Sequence, residues 1–142
     1  MLTCQRANVP LFLAAFTLLF FWRIAFGGQV LYWGDVMFQS YPWRHFAVTM
    51  LHEGQLPLWN PYIFCGIPFI ANPQPALFYP VNWLFQWLPV ERAISFSAVL
   101  HVLLAGWFLW LFLRQKQLTP AASCLGAITF AFSGFLITKA QF

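Results

Sequence analysis

Three stretches of this chain are long and apolar enough to leave water: Val9 to Phe26, Ala93 to Leu113 and Ala121 to Thr138. A bilayer span needs roughly 20 such residues. In lipid the backbone must satisfy its own hydrogen bonds, so each stretch reads as an α-helix. Composition excludes the other classes. Only 7% of the residues are charged and 21% are aromatic. A soluble domain carries about 25% charge, and disordered chains are poor in aromatics. The expected fold class is an all-α integral membrane protein with three transmembrane helices and a long extracytoplasmic loop. The net charge of +4 is scattered and forms no stripe, which argues against nucleic acid as a partner. Cys4, Cys65 and Cys124 lie far apart, an odd set without disulfide or metal-ligand spacing.

Interrupted only by Arg23, the first stretch (9–26) competes with a reading as a signal peptide. Arg6 gives it a basic lead, and Ala25-Phe26-Gly27 loosely fits a cleavage site. Its length and bulky aromatics favour a retained anchor. Thr119 followed by Pro120 reads as an N-cap with proline at the first helical position of the third span. Basic residues favour the cytoplasmic side. Arg6 therefore assigns 1–8 to the cytoplasm, and Arg114 with Lys116 assigns the hinge 114–120. The loop 27–92 is then outside, as is the short end 139–142 with Lys139. In the third span Ser123, Ala127, Ala131 and Gly134 line one helix face, where small residues allow close approach of another helix. Such a face needs partners, and a chain ending directly after a span reads as the start of a larger polytopic protein, completed by further helices or other membrane subunits.

The outer loop holds eight of the ten prolines, all four tyrosines and five of the eight tryptophans. A loop this long is uncommon unless it has a function. Trp43, Phe46, Ala47, Met50 and Leu51 recur with the period of an amphipathic helix. Pro42 starts this helix or kinks a longer one from Asp35, and Gly54 sits at a left-handed C-cap position. The helix is expected to lie on the membrane surface, apolar side down. Pro57, Pro61, Pro68, Pro73 and Pro75 are expected to forbid regular structure beyond it. Ala76 to Leu88 is too short to span and reads as interfacial or re-entrant, with Pro80 opening a short helix. Two readings of the aromatics stay open. Rings beside Asn60, Asn72, Gln74 and Asn82 suit the flat faces and polar edges of a sugar, whereas Trp and Tyr also favour the headgroup zone on their own account.

The ordered string Gly54-Gln55-Leu56-Pro57-Leu58-Trp59-Asn60-Pro61-Tyr62, Gly66-Ile67-Pro68, Ala71-Asn72-Pro73-Gln74 and Phe78-Tyr79-Pro80 resembles the N-terminal part of YfhO-type bacterial membrane proteins. Gly34-Asp35, Gln39-Ser40-Tyr41-Pro42 and Phe132-Ser133-Gly134-Phe135 fit as well. That family looks like a branch of the C-type membrane glycosyltransferases. The resemblance implies a bacterial cytoplasmic membrane location and transfer of a sugar from a polyprenyl-phosphate donor to an envelope acceptor. Its members are several times longer, so this chain would be an N-terminal fragment that is inactive alone. The family's acidic residue in the first outer loop corresponds to Asp35. A carboxylate there would take the acceptor proton; the same position also suits a helix N-cap. Arg44 and Arg92 offer guanidinium forks for the donor phosphate, against a competing role facing headgroups. Trp59, Asn60, Tyr62, Asn72 and Gln74 would shape the sugar pocket.

Arg23 is expected to snorkel to the interface, and His101 to bond another helix from inside its span. His45, Thr49 and His52 with Glu53 read as a solvated face, because no HExxH-type pair exists. The residues imply no cofactor and leave a divalent metal open. The competing functional readings are a non-enzymatic membrane subunit or scaffold, and a fragment of a lipid-linked-sugar transporter.

Overall fold

The computed structural model describes residues 4–141, and side chains from Val9 to Thr138. The side chains of Arg6 and Lys139, used above to orient the chain, lie outside the described residues, as do Met1–Thr3 and Phe142. The chain is mostly helical. In order it forms α1 (Cys4–Phe20), α2 (Trp22–Ala25), a π-helical turn (Val36–Ser40), α3 (Tyr41–His52), β1 (Trp59–Asn60), β2 (Ile67–Pro68), a 3₁₀ segment (Pro80–Gln86), α4 (Val90–Gln115), α5 (Pro120–Ala131) and α6 (Gly134–Gln141). Two compact units emerge, one from Met1–Gln29 with Ala98–Phe142 and one from Val30–Ser97.

Two helical runs are long and apolar enough to cross a membrane, Val90–Gln115 and Pro120–Thr138. Only 28% and 17% of their apolar windows are buried, whereas the core helix of a soluble protein would be mostly covered. The first apolar run is shorter, Val9–Phe20. It departs from the expected unbroken 9–26 because the helix breaks at Phe21, where φ is −97° and ψ +26°. α4 begins three positions before the expected Ala93. Glu91 in its first turn and Arg114 in its last both complement the helix dipole.

The first unit is held together by small residues. Thr119 caps α5 by accepting the Ala122 N–H on its hydroxyl, with Pro120 following, as the sequence indicated. Ser123, Ala127 and Ala131 are buried. Gly134 is exposed, because the helix is interrupted at Phe132–Ser133 before α6 starts. A Cβ placed on Gly106 would lie 3.1 Å from Ala131 Cβ, and one on Gly126 would lie 2.8 Å from the Leu113 side chain. Leu13, Trp110 and Ala127 form one apolar cluster. The pairs 113–126, 110–127 and 106–131 run in opposite senses along α4 and α5, the signature of an antiparallel hairpin. Its turn uses Gln117 at φ +62°, with the Leu118 N–H closing onto the Leu113 carbonyl.

In the second unit, Gly54 ends α3 at φ +73°, with the Gln55 N–H bonded to the Met50 carbonyl at 2.9 Å. The apolar stripe of α3 differs from expectation. Part of it faces the unit: Ala47 is buried and Phe46 meets Phe69 edge-on at 5.1 Å, while Val48, beside the stripe, packs on the Phe85–Val90–Ala93 cluster. The proline-rich segment supplies that cover. It is less irregular than expected, since β1 and β2 pair antiparallel, Trp59 opposite Pro68 and Asn60 opposite Ile67. Pro80 opens the 3₁₀ segment. Buried Ser95 links two parts of the unit, donating to the Glu91 carbonyl and accepting the Leu31 N–H, both at 2.8 Å.

Candidate functional site

Arg44, Ala47, Val48 and Leu51 recur at helical spacing along α3 and line a cavity of about 440 Å³ in the second unit. Its other walls come from the segment after β2, with Phe78, Trp83, Phe85 and Trp87. Arg44 is the one formal charge among the lining residues. Its Nη1 donates to Asn82 Oδ1 at 2.7 Å, and its Cζ stands 4.5 Å from the centre of the Phe85 ring. Asn82 is buried and donates onward from Nδ2 to the carbonyls of Ala76, at 2.6 Å, and Pro75, at 3.2 Å. A guanidinium carries five N–H donors, and among the described residues no carboxylate pairs with this one. Burial pushes the Arg44 guanidinium below its ordinary value, because a low-dielectric surrounding disfavours the charged form. The cation remains charged at neutral pH all the same. The arrangement is an apolar, ring-walled cleft with a single unneutralised cation, suited to an amphiphile with an anionic head.

The remaining expected site residues are distributed. Asp35 is exposed at the head of the π-helical turn, and its carboxylate makes no cap hydrogen bond. Buried Asn60 accepts the Tyr62 N–H on Oδ1 at 2.9 Å. Both residues line a second cavity, of about 580 Å³, with Trp43, Phe46, His45 and Glu53. Trp59 is half exposed in β1, its indole lying over Gly66. Asn72 accepts the Gln74 N–H at 3.0 Å, and Gln74 accepts from Gln39 Nε2 at 2.7 Å. Asn60 and Asn72 thus spend one acceptor each in shaping turns. Arg44 stands on one cavity and the Asn60–Tyr62 pair on another, so the expected residues do not converge on one pocket.

His45, Thr49 and His52 line a third cavity, of about 430 Å³, with Glu91. Among the described residues no group of three or more His, Cys, Asp or Glu side chains gathers at metal-ligand positions. Arg23 lies 5.6 Å from the Trp22 ring centre, and Arg92 and His101 are exposed. The residues that sequence reasoning left out of the site are Leu56, Phe78, Trp83, Phe85 and Trp87. Their signal was the pair of amides, Asn82 and Gln86, within the otherwise apolar run 76–88, since a buried amide needs a polar partner. No family model, curated protein or solved structure matches the chain.

Proposed function

We propose that this chain is the N-terminal portion of a multi-pass glycosyltransferase of the bacterial cytoplasmic membrane, acting on a polyprenyl-phosphate sugar, with residues 27–92 on the outer side. One observation carries the reading: a half-buried arginine, without an acidic partner among the described residues, set in a ring-walled cleft of a chain that also bears two span-length apolar helices. A polyprenyl phosphate presents the matching chemistry, a phosphate for the guanidinium and an unsaturated chain for the rings. Arg44 would hold the phosphate, with Asn82 and Phe85 fixing its orientation. The partners are then membrane lipid, the sugar donor and the helices that complete the enzyme.

In this reading the acceptor hydroxyl attacks the anomeric carbon while the bond from that carbon to the phosphate oxygen breaks. The phosphate departs with the electron pair, and Asp35 takes the hydroxyl proton. Because the leaving group already carries its charge, no general acid is needed. Trp59, Asn60, Tyr62, Asn72 and Gln74 would contact sugar or acceptor. The test is transfer of a radiolabelled sugar from a polyprenyl-phosphate donor in membranes carrying the full-length protein. Loss of a general base lowers such a rate by about 10²–10⁴-fold, so Asp35→Asn should abolish measurable transfer. An unchanged rate would remove Asp35 from the chemistry.

A further inference from the structure

Between β1 and β2 the chain reverses through a tight turn in which the Gly66 N–H donates to the Ile63 carbonyl at 2.8 Å. Its two central residues, Phe64 and Cys65, have φ of +50° and +60°. Two successive left-handed residues normally call for Asn-Gly, and a bulky ring there is an outlier. The turn puts its aromatics outward. Phe64 is 87% exposed and Tyr62 82%, the most exposed large apolar side chains among the described residues.

Glu53 and His45 reach the cavity that Tyr62 lines, but the hairpin's own segment brings no formal charge. From Gly54 to Val90 the sequence contains no Asp, Glu, Lys or Arg. A protein-binding patch ordinarily has a polar rim with Arg enriched, and a water-facing hairpin is ordinarily guarded by charge. Uncharged Trp, Tyr and Phe are instead the composition of the boundary between headgroups and acyl chains. The same uncharged segment leads directly into α4, which is long and apolar enough to cross a bilayer.

We propose that the Tyr62–Cys65 tip is a membrane anchor, inserted into the headgroup–acyl boundary of the bilayer that α4 crosses. The glycosyltransferase reading shares only Tyr62 with this tip, and the test of the anchor needs no substrate. The exposed Cys65 thiol supplies the probe. Cys65 is labelled with an environment-sensitive fluorophore in a Cys4→Ser, Cys124→Ser background, and the full chain is reconstituted in vesicles of phosphatidylcholine and phosphatidylglycerol. Nitroxide on the lipid acyl chain should quench the label while aqueous iodide does not. A label at Glu53→Cys, with Cys65→Ser, should respond the other way round. Phe64→Asp removes no core contact and should expose the Cys65 label to iodide. Iodide quenching of the unmodified tip equal to that at Glu53→Cys would overturn the proposal. So would shielding from both quenchers, which would mean that protein covers the tip.

Discussion

Arg44 donates to Asn82 Oδ1 at 2.7 Å, and Asn82 holds the carbonyls of Pro75 and Ala76 through its Nδ2. One buried amide therefore fixes both the cation of the cleft and the backbone of the cleft's wall. Replacing it with alanine leaves two carbonyls and a half-buried guanidinium short of a partner. Asn82→Ala should destabilise the second unit by about 1–3 kcal/mol, measured by denaturant titration in detergent micelles. Protease cleavage within 72–79 should rise in parallel.

Asp35 offers the opposite case. Its carboxylate is exposed and caps no backbone N–H. Asp35→Asn should therefore leave stability within about 0.5 kcal/mol of the parent, the usual range for surface positions without such a role. Paired with the transfer assay, this separates chemistry from folding. A drop of activity accompanied by unfolding would assign the residue a structural role.

Gly66 and Gly54 both have positive φ, +105° and +73°, but their surroundings differ. A Cβ on Gly66 would lie 2.7 Å from the Trp59 indole, whereas Gly54 faces open space. Gly66→Ala should cost more than Gly54→Ala, which carries only the backbone penalty of about 1 kcal/mol. Thermal unfolding of the two variants side by side measures the difference.

Ala127 is fully buried beneath Leu13 and Trp110. Ala127→Leu adds volume at a fully buried position and should destabilise the first unit by about 1–3 kcal/mol. Ala122→Leu, at an exposed position near the start of the same helix, serves as the control and should be tolerated. Unfolding in mixed detergent micelles reads both.

What could be read in the sequence was local. The period of α3, the Gly54 cap, the Thr119–Pro120 start and the burial of Ser123, Ala127 and Ala131 each depend on residues within a few turns of one another. The break at Phe21 was hidden, because no proline or glycine marks it and the apolar run continues across it. The β1–β2 pairing was hidden behind prolines, which are tolerated in so short a ladder. The inward turn of the α3 stripe was missed because an amphipathic face fits a membrane and a protein interior equally well. Asp35, Arg44, Trp59 and Asn72 could be picked out as residues, but not that, of these four, Arg44 would line the described cavities and the other three would not. The Arg44–Asn82 bond links positions 38 apart, and no sequence spacing encodes such a contact.

In the proposed function, Arg44 makes the cleft a site for an anionic amphiphile. Burial lowers the pKa of this base, so the unfolded chain holds the proton more tightly and stability rises with pH only in a strongly alkaline window. Around neutrality the charge on Arg44 is constant, so a pH dependence of binding that is lost in Arg44→Gln would follow the ligand, whose phosphate gains charge near pH ~6. The decisive measurement is binding of a polyprenyl phosphate and of the uncharged polyprenol to the detergent-purified chain and to Arg44→Gln. Tight binding of the phosphate alone, lost by at least about tenfold (1.4 kcal/mol) in Arg44→Gln, is the predicted result. Equal affinity for phosphate and alcohol, or an unchanged affinity in Arg44→Gln, would contradict it.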